Sequence, residues 1–104
     1  MNKFEEAIPY LEQALAFYQE HGPKYLVVDT LITIGVCYVE LEDYDTAQRI
    51  FDDVLEITLE ENFANSKARA HLYLGWIKAE NGGCSEAIED FHLAADYFLS
   101  LIHI

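Results

Sequence analysis

A chain of 104 residues is long enough for one domain and no more, and an apolar content of 52% excludes a disordered one. The net charge of −13, from 19 acidic and 6 basic side chains, would repel phosphate backbones and anionic lipid headgroups, which sets nucleic-acid and membrane-surface binding aside. Cys37 and Cys84 belong to no CxxC pair and no Cys/His cluster, so neither a zinc site nor a disulfide framework is expected, and a cytoplasmic setting is.

The first residues, Met1 to Glu6, turn acidic at once and lack the apolar stretch of a secretion signal. Helical spacing begins immediately. Phe4, Ala7, Leu11, Ala14, Leu15 and Tyr18 recur at i, i+3 and i+4, predicting a helix over 3–20. Asn2 is its N-cap, with Glu5 three residues on. Pro9 lies early enough to cost one hydrogen bond and a mild kink. His21-Gly22-Pro23 ends this helix, with Gly22 expected in the left-handed C′ conformation. The second helix, over 25–41, carries Val28, Leu31, Ile32, Gly35, Tyr38 and Val39 on one side. After a tight turn at Leu41-Glu42, Asp43 caps a third helix over 44–60, with Ala47, Ile50, Phe51, Val54, Leu55 and Thr58 as its inner strip. Asn65 or Ser66 is the expected cap of a fourth helix over 65–80, built on Ala70, Tyr73, Leu74 and Ile77. Asn81-Gly82-Gly83 breaks the chain before a fifth helix over 85–102, with Ala87, Ile88, Phe91, Ala94, Ala95 and Phe98. Its last residues, Tyr97 to Ile104, are nearly apolar but far too few to span a bilayer.

The chain repeats itself at 40 residues. Ala7, Ala47 and Ala87 align, as do Leu11, Phe51 and Phe91, and Ala14, Val54 and Ala94. Phe17, Ile57 and Tyr97 share a register, and so do Phe4, Tyr44 and Cys84. Ile32 matches Leu72, Ile34 matches Leu74, Gly35 matches Gly75 and Glu40 matches Glu80. A mid-helix glycine costs about 1 kcal/mol against alanine. Gly35 and Gly75 therefore imply close approach of a partner helix, with Ala47 and Ala87 as the small residues expected to face them.

Leu31-x-x-Ile34-Gly35-x-x-Tyr38 followed by Ala47-x-x-x-Phe51-x-x-Val54 resembles the tetratricopeptide signature position by position. The later unit, Leu74-Gly75, Ala87, Phe91 and Ala94, is similar but departs from it at His71 and Lys78, where the family has large apolar or aromatic residues. The first unit supplies only its second helix, with Ala7, Leu11 and Ala14. The resemblance implies an all-α solenoid of about five antiparallel helices: a half repeat at 1–22 and repeats at 23–62 and 63–104, in one domain. The 40-residue register is longer than the usual 34 and resembles bacterial peptide-pheromone sensors, kinesin light chains and related cell-polarity adaptors. Neither end has an obvious polar face, which fits a piece of a longer array, a truncated product, or a chain that self-associates through its apolar terminal helices.

In such arrays the first helix of each repeat lines a concave groove. By the family's pattern the groove positions are Asp29, Ile32, Val36 and Glu40, then Arg69, Leu72, Trp76 and Glu80. Trp76 is either a binding anchor or packed on a neighbouring helix. Arg69 can grip a carboxylate or pair with a nearby acid, and the three acids either receive a basic partner or are simply solvated. Elsewhere the residues give no chemistry. His92 and Asp96 are spaced i, i+4, but two ligands do not make a metal site. Cys84 aligns with Phe4 and Tyr44 and is expected to pack, and Cys37 to be buried. The acidic run from Glu40 to Asp45 lacks the glycine and ligand rhythm of a calcium loop. There is no phosphate loop, HExxH or nucleophile elbow. The expected function is a protein- or peptide-binding scaffold with no cofactor, not an enzyme. The alternative is a self-assembling structural module.

Overall fold

The computed structural model describes residues 2–61 and 63–102, and among them every regular element is a helix. The helices are α1 (Lys3–His21), α2 (Lys24–Glu40), α3 (Tyr44–Glu61), α4 (Ala64–Glu80) and α5 (Cys84–Ile102). These agree with the sequence-based spans to within one or two residues, the usual spread of helix ends. His103 and Ile104 lie outside the described residues.

Each helix packs on the next in the chain, and α2 also touches α4. Among the described residues α1, α3 and α5 do not touch one another. The first helices of the hairpins thus form an inner row, and the second helices splay on the outside. This explains the composition of α2. Flanked by α1, α3 and α4, it is apolar almost all round, and Val27, Val28, Ile32, Ile34, Gly35, Cys37 and Val39 are buried. The central cluster joins Val28, Ile32 and Val39 of α2 to Ala47, Phe51 and Val54 of α3 and to Ala70, Leu74 and Ile77 of α4. Two hydroxyls are buried with it, and each donates to a carbonyl of its own helix: Thr30 to Leu26 at 2.7 Å and Thr58 to Leu55 at 2.9 Å.

The turns repeat at the same 40-residue spacing. Between α2 and α3, the Asp43 N–H donates to the Tyr38 carbonyl at 2.9 Å and the Glu42 N–H to Val39 at 3.0 Å. Between α4 and α5, the Gly83 N–H donates to Lys78 at 2.8 Å and the Gly82 N–H to Ala79 at 3.1 Å. Both are Schellman closures, which need a left-handed residue at C′. Gly82 fills that position at φ 88°, and Glu42 fills it at φ 62°. Asp43 then serves the next helix, accepting from the Thr46 N–H at 3.3 Å and from the Thr46 hydroxyl at 2.8 Å. Asn2 caps α1 by accepting from the Glu5 N–H at 2.9 Å.

Four local expectations are corrected. Gly22 is extended, at φ −96° and ψ 167°, and closes α1 by donating to the Tyr18 carbonyl without a left-handed turn. Neither Asn65 nor Ser66 caps α4. The helix starts at Ala64, and Phe63 precedes it without a side-chain cap. Aromatic rings, not alanines, lie nearest the two mid-helix glycines. A Cβ on Gly35 would stand 2.7 Å from the Phe51 ring, and one on Gly75 would stand 2.7 Å from the Phe91 ring. Ala47 and Ala87 are buried on the same second helices. Finally, Cys84 is exposed rather than packed, whereas Cys37 is buried as expected.

Candidate interaction surface on the first helices

The eight groove positions separate by exposure. Asp29 and Glu40 are exposed on α2, Val36 is half-buried, and Ile32 is fully buried in the central cluster. Ile32 therefore supports the surface from beneath and presents nothing to a partner. The reason is that α4 packs on α2, so the central part of the α2 row lies at a helix–helix contact. The matching row on α4 is open. Leu72 is 42% and Trp76 51% exposed, one helical turn apart. Arg69 is half-buried and Glu80 exposed at either end of this row.

Structure brings the two rows together at both ends. At one end Arg69 Nη1 lies 3.5 Å from Asp29 Oδ1, joining equivalent positions of successive repeats. Both side chains are substantially exposed, so the pair contributes at most about 1 kcal/mol. Its main effect is to occupy the guanidinium. At the other end Glu40 and Glu80, the last residues of α2 and α4, both act on Tyr44 of α3. Burial, then the negative charges of Glu80, Glu42 and Glu40, push the Tyr44 hydroxyl above its ordinary range. The charges of these three carboxylates thus all act on one phenol, and the carbonyl dipoles at the C-terminal ends of α2 and α4 add negative potential. The result is an acidic corner one turn beyond Trp76.

A second polar group was hidden from motif reading. Asp90 of α5 is 5% exposed. Its Oδ1 is 2.7 Å from His71 Nδ1, and its Oδ2 accepts from Lys78 Nζ at 2.5 Å. Both partners come from α4. The hydrogen bond from Lys78 to Asp90 raises the ammonium's pKa against the opposing cost of burial, and the charges of Asp90, Glu86 and Asp52 add to the rise. The signal for this triad is in the 40-residue register. His71, Lys78 and Asp90 stand at the positions of Leu31, Tyr38 and Ile50. One repeat fills that junction with apolar side chains, and the next fills it with an ionic set whose members complement each other. The two departures from the tetratricopeptide pattern are therefore one coordinated change.

Other candidates stay apart. His92 and Asp96 are both exposed, and no group of three potential metal ligands exists among the described residues. The His21 ring lies against Phe17, with centroids 4.9 Å apart. No helix among the described residues is long and apolar enough to cross a membrane.

The family model described as "Tetratricopeptide repeat" matches residues 1–60, more than half of the sequence. The matched part holds α1, α2 and nearly all of α3, and the ionic triad lies beyond it. No curated protein and no solved structure matches the chain. With the helix hairpins, the 40-residue register and this match in agreement, the chain belongs to the tetratricopeptide repeat family, whose repeats generally mediate protein–protein interactions.

Proposed function

We propose that this chain is a non-enzymatic scaffold in one domain, that it binds a protein segment along the inner row, and that the α4 side of that row does most of the work. The observation that carries this reading is the open pair Leu72 and Trp76, 42% and 51% exposed one turn apart. Two large apolar side chains side by side in a strongly charged surface are costly to leave in water and suit the desolvated centre of an interface. Glu80, which shares the acidic corner with Glu40 and Glu42, lies one turn beyond Trp76, or about 6 Å along the helix axis. A partner segment would therefore seat an apolar side chain at Leu72 and Trp76 and place a lysine or arginine about two residues away if it is extended. Arg69 is occupied by Asp29 and would orient the row rather than seize the partner.

The test uses labelled peptides that carry one apolar anchor, with either lysine or glutamate two residues on. Fluorescence anisotropy should show binding of the lysine series alone. Trp76→Ala should abolish binding, and Glu40→Gln with Glu80→Gln should weaken it, without change in the melting temperature. Equal binding of both peptide series, or wild-type affinity in Trp76→Ala, would refute the assignment. Self-association is the second reading, because Ile88 and Phe91 of α5 are also exposed, at 55% and 36%. A concentration-independent monomer mass by light scattering would remove it.

A further inference from the structure

An apolar groove of about 520 Å³ runs between α1 and α2, lined by Phe4, Ala7, Tyr10, Leu11, Thr33 and Cys37 and also by Lys3. Tyr10 is 72% exposed, and Phe4, Ala7 and Leu11 are only half-buried. The internal repeat shows what such a surface receives. Forty residues on, Phe4, Ala7, Leu11, Thr33 and Cys37 become Tyr44, Ala47, Phe51, Tyr73 and Ile77. There Ala47, Phe51 and Ile77 are fully buried, and Tyr44 and Tyr73 pack against the core. The element that closes that second surface is α2, which lies antiparallel along α3 and sets Gly35 directly against the Phe51 ring.

We infer that the α1–α2 groove is a docking seat for one largely apolar partner helix of the same kind as α2. It runs antiparallel to α1, turns its apolar face to Ala7 and Leu11, and carries glycine or alanine where it crosses Leu11. The inference rests on the internal equivalence and not on the α4 row, so the two surfaces can be tested separately. Three features set the partner's chemistry. The lining is almost wholly apolar, so the contacting face is apolar too. The helix α2 meets the equivalent surface through a residue without a side chain, so a bulky residue at the crossing would be excluded. Leucine replaces phenylalanine at position 11, so slightly more room is left here than over Phe51.

The probe is a fluorescein-labelled peptide with the sequence of residues 24–40, Cys37→Ser within it and a short lysine tail for solubility. Saturable binding is expected by anisotropy, and Gly35→Leu within the peptide should weaken it at least about tenfold. In the protein, Leu11→Lys should abolish binding. Because Leu11 is half-buried, Thr33→Lys is the second variant: Thr33 is exposed, so this change blocks the groove and leaves the fold intact. Trp76→Ala should bind the peptide as wild type does. The inference is overturned if no saturable binding is found, or if Thr33→Lys binds unchanged. It is also overturned if binding is lost in Trp76→Ala instead, which would put the peptide on the α4 row. Light scattering that shows a dimer which Thr33→Lys converts to monomer would make the occupant a second copy, and would likewise overturn it.

Discussion

Replacing Asp90 with alanine removes the one carboxylate that serves both His71 and Lys78. Asp90 is 5% exposed and holds two short hydrogen bonds, at 2.7 and 2.5 Å. A hydrogen bond to a charged group contributes about 1.5–3 kcal/mol, and breaking a buried ion pair by deleting one partner costs about 3–5 kcal/mol. Lys78 is a third exposed and can turn partly to water, whereas the His71 side chain is only 13% exposed and cannot. The lower end of that range applies, so the expected loss is about 3 kcal/mol. For a domain of this size that lowers the melting temperature by roughly 10–25 °C. Thermal and urea unfolding followed by far-UV circular dichroism measure it directly. The companion is the triple variant His71→Leu, Lys78→Tyr, Asp90→Ile, which copies the apolar junction of Leu31, Tyr38 and Ile50. It should be as stable as wild type or more stable by up to about 4 kcal/mol, because the apolar set carries no desolvation cost. An Asp90→Ala variant within about 0.5 kcal/mol of wild type, the ordinary surface value, would refute the reasoning.

Alkaline pH should also loosen the fold. Lys78 is raised above its ordinary 10.5 by Asp90, and Cys37 is raised above its ordinary 9.0 by burial and by the charge of Glu40. Upward shifts give stability that is complete below the ordinary value and lost as pH rises through the folded one. The urea midpoint should therefore fall from about pH 9 upward, first through Cys37, then through Tyr44, whose ordinary value is 10.0, and last through Lys78, and Lys78→Arg should flatten only the last part. A midpoint that stays constant to pH 11 would contradict these shifts. At the turns, Glu42→Gly should stabilise by about 1 kcal/mol, because a left-handed non-glycine residue costs roughly 1–2 kcal/mol and glycine returns part of that as chain entropy. Gly82→Ala at φ 88° should cost about the same, and urea melts in which both changes act in the same direction would refute the assignment of these turns.

The helices were legible because each carries a continuous apolar strip at period 3.6, and the repeat was legible because Ala, Phe and Gly recur at one spacing. Caps were legible where the polar residue directly precedes the helix, as at Asn2 and Asp43. At α4 two good capping residues were present, yet the helix begins before them, so local preference gave way to packing. Exposure of equivalent positions was not legible. Ile32 and Leu72 share a register, but one lies beneath α4 and the other does not, and no local pattern encodes that difference. The triad was the hardest to see. His71 and Lys78 read singly as departures from the repeat, and Asp90 as one acid among many. Only overlaying the two units on Leu31, Tyr38 and Ile50 shows that the three change together.

The two glycine–phenylalanine contacts separate packing from backbone effects within one chain. Replacing either glycine by alanine gains about 1 kcal/mol of helix propensity. Against that stands the added methyl, which would lie 2.7 Å from a ring carbon at both sites unless the ring moves. Phe51 cannot move. It is fully buried, and its other face is stacked on Tyr73 of α4, with centroids 5.2 Å apart and planes within 11°. Overpacking there costs about 1–3 kcal/mol, so Gly35→Ala should destabilise by up to about 2 kcal/mol. Phe91 is 36% exposed and has no stacked ring on its outer side among the described residues, so it can swing away. Gly75→Ala should therefore be neutral or stabilising by up to about 1 kcal/mol. Urea unfolding of the two single variants gives the difference without assumptions about absolute stability. Equal losses at both sites would mean that the backbone requires glycine, and the ring contact would then be a consequence of the close approach and not its cause.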